Sequence, residues 1–283
     1  MISLLKYFLP LIGLWVSLPV ISSVVDTVEV RSKKMNRDIP CVVITPDRMT
    51  GGFRCPVLYL LHGYSAKGYR DSHKVWVDNI KTELPRIADR YGMIIVCPNG
   101  ENSWYWDSPK DKNSRFETFI SKELIKYVDD HYYTVADRDG RAITGSSMGG
   151  HGALWLAIRH QDVFGAAGSM SGGIDIRSFP DKWNIHSLLG DRAKNKKVWD
   201  KHMVISQLNK LKNGNLALII DCGCDDFFLY VNSDLHRRLL EQKIDHDYII
   251  RPGGHTWSYW NNSIDYQILF FSNFFCKNRL NYR

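Results

Sequence analysis

From Pro56 onward, short apolar runs alternate with longer stretches of helical spacing, and this alternation restricts the fold more than any other feature of the chain. Pro56-Val57-Leu58-Tyr59-Leu60-Leu61 is a continuous apolar run, as a strand buried on both faces requires. Met93–Cys97, Arg141–Thr144, Ala166–Met170, Leu216–Ile220 and Asp247–Arg251 read as further strands. Between them, residues 74–91, 116–131, 148–158 and 230–242 read as helices, and a last helix is expected from about 257 to 275. Strands separated by helices pair in parallel, so the predicted class is α/β, a mostly parallel central sheet with helices on both faces. Residues 26–31 and 39–45 flank the turn residues Asn36-Arg37-Asp38 and read as an opening hairpin. Residues 172–212 break the alternation. They hold Pro180, Trp183, Trp199 and several lysines but no clear strand, and they lack the apolar content for a core of their own. They are expected to be an excursion over the edge of the sheet.

The first residues follow different rules. Met1–Lys6 carries one positive charge, Tyr7–Ile21 is uncharged and almost wholly apolar, and the small residues Ser22 and Ser23 follow. The run is short and broken by Pro10 and Pro19, so it reads as a secretory signal peptide over residues 1–23 and not as a membrane span. Residues 24–283 are then one exported domain, periplasmic or secreted, with no stable membrane association after cleavage. The formal charge of +7 arises from 37 basic against 30 acidic residues spread along the chain. The longest basic cluster, Arg192 with Lys194, Lys196 and Lys197, reads as a solvated face, and no nucleic-acid partner is expected. Cys97 and Cys222 end apolar runs and read as buried thiols. Cys222-Gly223-Cys224 is too tight for the usual zinc pair, and no metal site is expected.

The chemistry is announced by Gly145-Ser146-Ser147-Met148-Gly149, a G-x-S-x-G pentapeptide between a strand and a helix. A nucleophile on such a turn stands above the sheet, and the glycines leave room for the close packing the turn forces. Ser147 is the expected nucleophile, and Ser146, one step out of register, is structural. A serine hydroxyl needs a base at neutral pH. Among the histidines after Ser147, only His255 combines a strand end with a glycine turn, Pro252-Gly253-Gly254. The acid belongs on the loop after strand 216–220, where Asp221, Asp225 and Asp226 are candidates. Asp221 follows directly on the strand and is expected to lie low, its carboxylate taken up by local backbone or loop donors. The loop His62-Gly63-Tyr64-Ser65 follows the strand 56–61 and supplies one oxyanion donor, the backbone N–H of Tyr64; the N–H of Met148 supplies the other. His62 is read as a loop-organising residue.

Leu60-Leu61-His62-Gly63-Tyr64, Gly145–Ala153, the Asp221–Asp226 loop and Gly253-Gly254-His255-Thr256-Trp257 together resemble the esterase D and antigen 85-like "putative esterase" family over about residues 40–275. That family includes feruloyl and acetyl xylan esterases, tributyrin-type esterases, S-formylglutathione hydrolases and mycolyltransferases. The resemblance implies an α/β-hydrolase fold, a Ser–Asp–His triad and no cofactor. It also selects Asp226, which stands three residues after Gly223 and just before a hydrophobic segment, as the family acid does. The formylglutathione hydrolases are generally cytosolic, whereas this chain carries an apparent leader. Trp104, after strand 93–97, and Trp257, after His255, are the expected substrate-binding aromatics. The expected function is an exported serine ester hydrolase on short-acyl, acetyl or feruloyl esters of carbohydrates, its partner a small ester or acylated oligosaccharide. The alternatives are an acyltransferase with a sugar acceptor and, from another class, a non-catalytic carbohydrate-binding protein.

Overall fold

The computed structural model describes residues 23–279 apart from 48, 50–52 and 81–82. The leader expected over residues 1–23 therefore lies, Ser23 excepted, outside the described residues. The chain opens with strands β1 (Val24–Ser32) and β2 (Arg37–Thr45), continues through β3 (Val57–Leu61), and then forms helices α1 (Val75–Ile80) and α2 (Glu83–Tyr91) before β4 (Ile94–Pro98). A helical run of three pieces follows, α3 (Phe116–Thr118), a π-wound turn Phe119–Leu124 and α4 (Ile125–His131). The motif itself spans β5 (Arg141–Gly145) and α5 (Met148–Arg159), with β6 (Ala166–Met170) after it. Short helices α6 (Ile185–Leu189) and α7 (Lys196–Lys201) and a 3₁₀ segment Val204–Lys210 lead to β7 (Ala217–Gly223), α8 (Leu229–Glu241), β8 (Asp247–Arg251) and α9 (Trp257–Arg279).

The strands form one eight-stranded sheet in the order β1-β2-β4-β3-β5-β6-β7-β8. β1 and β2 are the antiparallel hairpin, β2 meets β4 antiparallel, and every pair from β4 to β8 is parallel. The continuous apolar runs end up where their composition demands. β3, β4, β5 and β6 are buried at every residue, while β8 at the sheet edge is part exposed. Side chains alternate between the faces. Val57, Tyr59 and Leu61 meet α5 and the 116–131 run on one side; Leu58 and Leu60 meet α1, α2 and α9 on the other.

The helix expected over 74–91 is helical over the described residues Val75–Ile80 and Glu83–Tyr91. One expectation needs correction. The excursion at 172–212 covers a face of the sheet, not its edge. β6 and β7 are hydrogen-bonded neighbours, so a connection between them leaves and returns within the sheet. Ile174, Ile176, Ile185, Leu189, Trp199 and Val204 are buried in the same core as α5. The basic cluster from Arg192 to Lys197 lies on its solvent side.

Candidate active site

The turn between β5 and α5 puts Ser147 at φ 57°, ψ −117°. A positive φ at a non-glycine residue is a strained conformation and survives only where its surroundings hold it. Here Ser147 N–H donates to Met170 O at 2.9 Å, and Ser147 O accepts from His151 N–H at 3.0 Å. The two motif glycines are required by contact with β3. A Cβ on Gly145 would stand 2.4 Å from the Leu61 carbonyl oxygen, and one on Gly149 would stand 2.3 Å from the same atom. Ser146 points inward, with its hydroxyl fully buried.

His255 and Asp226, the expected base and acid, arrive from neighbouring strand ends. Cys224 N–H donates to Arg251 O and Asp225 N–H to Gly253 O, each at 2.9 Å, so the loops after β7 and β8 are tied backbone to backbone. That registry aims Asp226 at His255. The Asp226 carboxylate accepts from His255 Nδ1 at 2.9 Å and 3.1 Å, and also from the Phe228 N–H at 2.8 Å. Its side chain is wholly buried. His255 Nε2 lies 2.8 Å from Ser147 Oγ. With Nδ1–H given to Asp226, Nε2 is the acceptor for the serine hydroxyl proton.

Asp225 is exposed, as expected of the acid's neighbour. Asp221 is buried, but its partners are not the local backbone or loop donors expected from the sequence. Ser263 Oγ donates to it at 2.6 Å, Tyr259 Oη at 2.5 Å, and Arg251 pairs with its other oxygen. All three come from β8 and α9, elements remote in sequence. Burial pushes the Asp221 carboxyl up, and the Ser263, Tyr259 and Arg251 contacts oppose that rise.

The two backbone N–H groups expected as oxyanion donors belong to Met148, next to Ser147, and to Tyr64, next to Gly63. The His62-Gly63 turn abuts the nucleophile so closely that a Cβ on Gly63 would stand 3.3 Å from Ser147 Cβ. Among the described residues neither the Tyr64 nor the Met148 backbone N–H donates to a protein acceptor. His62 is buried, and burial lowers it to about 4. Its Nδ1–H donates to Gly63 O and its Nε2 accepts from Gly100 N–H, both at 2.8 Å, so it clamps the loop after β3 to the loop after β4. Asn102, which the sequence reading passed over, completes the clamp. Its side chain accepts from Ser65 N–H at 3.0 Å and donates to Ser65 O at 2.9 Å, which holds the residue next to Tyr64.

Among the described residues neither of the two tryptophans expected to meet substrate has a ring contact with His255, whose neighbours are Phe227, Phe228 and Trp260. Trp104 is 1% exposed, stacked on Trp106 and covered by Trp183, so it offers no open face. Trp257 packs edge-on against Trp76 and Trp260, in the layer that covers the opposite face of the sheet. The open aromatics at the site are others. Phe227 lies 4.4 Å from the His255 ring and is stacked with Trp183 of the excursion. The signal in the sequence was the Phe227-Phe228 pair directly after Asp226, but nothing local brings Trp183 to it.

This sheet order with helices on both faces and a strained serine turn defines an α/β-hydrolase fold esterase. The chain belongs to the "Putative esterase" family, which matches residues 32–271. It is 29% identical over 225 residues to "Acetyl esterase" of Caldicellulosiruptor saccharolyticus, covering 73% of this chain and 79% of that protein. It is 30% identical over 217 residues to "Diacylglycerol acyltransferase/mycolyltransferase Ag85B" of Mycobacterium leprae, covering 70% of this chain and less than two thirds, 63%, of that one. A solved structure of a ferulic acid esterase superposes with a TM-score of 0.77 at 28% identity, over 90% of this chain and 99% of the other. Among the described residues no helix is long and apolar enough to cross a membrane.

Proposed function

We propose that this protein is an exported serine ester hydrolase in which Ser147, His255 and Asp226 form the catalytic triad. The observation that carries the reading is the unbroken relay from Ser147 Oγ through His255 to Asp226, at 2.8 Å and 2.9 Å. Ser147 Oγ attacks the ester carbonyl and passes its proton to His255 Nε2. Asp226 holds the ring in the tautomer that accepts it and stabilises the imidazolium. The Tyr64 and Met148 N–H groups receive the carbonyl oxygen as it gains charge. His255 returns the proton to the leaving alcohol, and water cleaves the acyl-enzyme by the same route in reverse. Residues 24–283 act as one catalytic domain, since the excursion shares the core of the sheet. Export rests on the apolar run Tyr7–Ile21 and the small residues after it.

The substrate class in this reading is an acetyl or feruloyl ester of a carbohydrate, supported by the acetyl esterase and ferulic acid esterase relatives. The second reading, acyl transfer to a sugar, is favoured by the mycolyltransferase relative and uses the same acyl-enzyme. Product analysis with and without added sugar separates the two: hydrolysis releases free acid in both cases, transfer a new sugar ester. Ser147→Ala tests the whole proposal. Loss of the nucleophile is expected to lower turnover of p-nitrophenyl acetate by about a millionfold while the unfolding midpoint holds. Turnover equal to that of an active parent enzyme overturns the assignment of Ser147 as nucleophile; no turnover above the uncatalysed rate by either protein favours a binding protein on the same scaffold.

A further inference from the structure

Phe227 is a large apolar side chain that the fold leaves 52% exposed, although Phe228 beside it is buried. Its ring centroid is 4.4 Å from that of His255, with the planes tilted by 37°. Trp183 stacks on it at 6.1 Å and 20°. The excursion delivers Trp183 through two successive left-handed residues, Trp183 at φ 52° and Asn184 at φ 55°. Such a pair is costly for non-glycine residues and holds only where packing enforces it. Phe179 at 5.2 Å and Phe228 at 5.4 Å supply that packing from behind. The result is a rigid aromatic wall, backed by core and open on one side, against the ring of the proposed base.

The position of the wall decides which half of an ester it meets. In the catalytic reading above, on which this inference rests, the carbonyl oxygen is held by the Tyr64 and Met148 N–H groups. The leaving oxygen must instead come within hydrogen-bond reach of His255 Nε2 to collect its proton. Whatever is bonded to that oxygen passes the imidazole beside Phe227, on which Trp183 is stacked. We propose that Phe227 and Trp183 form the alcohol subsite and select esters whose alcohol carries a ring with an apolar face. A flat apolar group stacked there removes both its own surface and that of Phe227 from water, a gain that small alkyl alcohols do not provide.

The test uses three esters of the full-length enzyme: benzyl acetate, ethyl acetate and ethyl cinnamate. The two acetates share one acetyl-enzyme and have alcohols of similar acidity, so they differ at the alcohol subsite alone. The wild-type enzyme is expected to favour benzyl over ethyl acetate in kcat/KM by about tenfold, the scale of one well-packed apolar contact. Phe227→Ala and Trp183→Ala are each expected to erase that preference, leaving ethyl acetate and ethyl cinnamate within about threefold of wild type, a change of under 1 kcal/mol. Phe227→Tyr is expected to restore it. Trp183 is remote in sequence from Asp226, so its variant separates loss of the wall from disturbance of the acid loop. Equal losses on both acetates, or a selective loss on ethyl cinnamate, overturn the proposal; the latter assigns the wall to the acyl group. Failure of the wild-type enzyme to cleave any of the three, with Ser147→Ala indistinguishable from it, overturns the hydrolytic reading itself.

Discussion

Asp221 and Asp226 stand at the end of the same strand and both are buried, yet the fold uses them for opposite ends. Asp221 looks back into the molecule, where Tyr259, Ser263 and Arg251 close around it. Asp226 looks across the strand end to His255, whose other nitrogen meets the serine hydroxyl. Asp221 has every partner inside the protein, so it welds β7 to β8 and α9. Asp226 is bonded to His255, whose other nitrogen meets the Ser147 hydroxyl, so in the proposed mechanism its charge is felt at the reacting atoms. A buried carboxylate serves the fold or the site according to where its partner's second hydrogen bond goes.

The sharpest break of this comparison is Asp226→Asn. It leaves His255 in the wrong tautomer and is expected to lower kcat by about 10,000-fold, measured as ester hydrolysis at neutral pH, with little change in the unfolding midpoint. Asp221→Asn should show the converse. Removing one side of a buried ion pair is expected to cost about 4 kcal/mol in urea unfolding, while kcat per folded molecule stays close to wild type. A silent enzyme with intact stability would place Asp221 in the relay and erase the distinction.

Glu117 sharpens the comparison with a third buried carboxylate. Burial opposes its charge, but hydrogen bonds from His160 at 2.9 Å and Arg159 at 2.7 Å win and draw it down to about 2. Trp155 Nε1–H adds a third donor at 3.0 Å. Its folded value lies below the ordinary carboxylate value, so its contribution is complete above the unfolded value and is lost as pH falls towards 2. Glu117→Gln is therefore expected to be less stable than wild type by about 3 kcal/mol at pH 7, and the gap should close towards pH 2 in urea titrations. The smallest effect is expected at Asp225, which is exposed. Asp225→Asn should change stability by less than about 0.5 kcal/mol and leave turnover within about twofold. A silent Asp225→Asn would shift the acid by one residue and require the relay to be redrawn.

Much of this fold is legible in the amino-acid sequence. The apolar runs of β3 to β6 announced buried parallel strands because a strand covered on both faces has no polar face to show. Ser147 was legible because its requirements are local: a strand, two glycines and a helix within a dozen residues. His255 followed from its glycine turn. The acid was not settled by the residues alone. Asp221 was set aside because it follows directly on the strand, but Asp225 and Asp226 are adjacent, and the resemblance to a family was needed to choose between them.

Periodicity and short-range sterics are written along the chain, and they account for the layered sheet, the strained serine turn and the glycines that admit β3. The rest depends on pairings between distant segments, which exist only once the chain has folded. The backbone bonds from Cys224 and Asp225 to the loop after β8 aim Asp226 at His255 and leave Asp221 to Arg251. The excursion buries Trp104 and stands Trp183 against Phe227, although Trp104 was the expected substrate contact. An indole is equally suited to a core and to a binding face, and its own neighbours in sequence do not distinguish them. Which one it joins is set by the segment that packs over it, through burial that only the assembled chain defines.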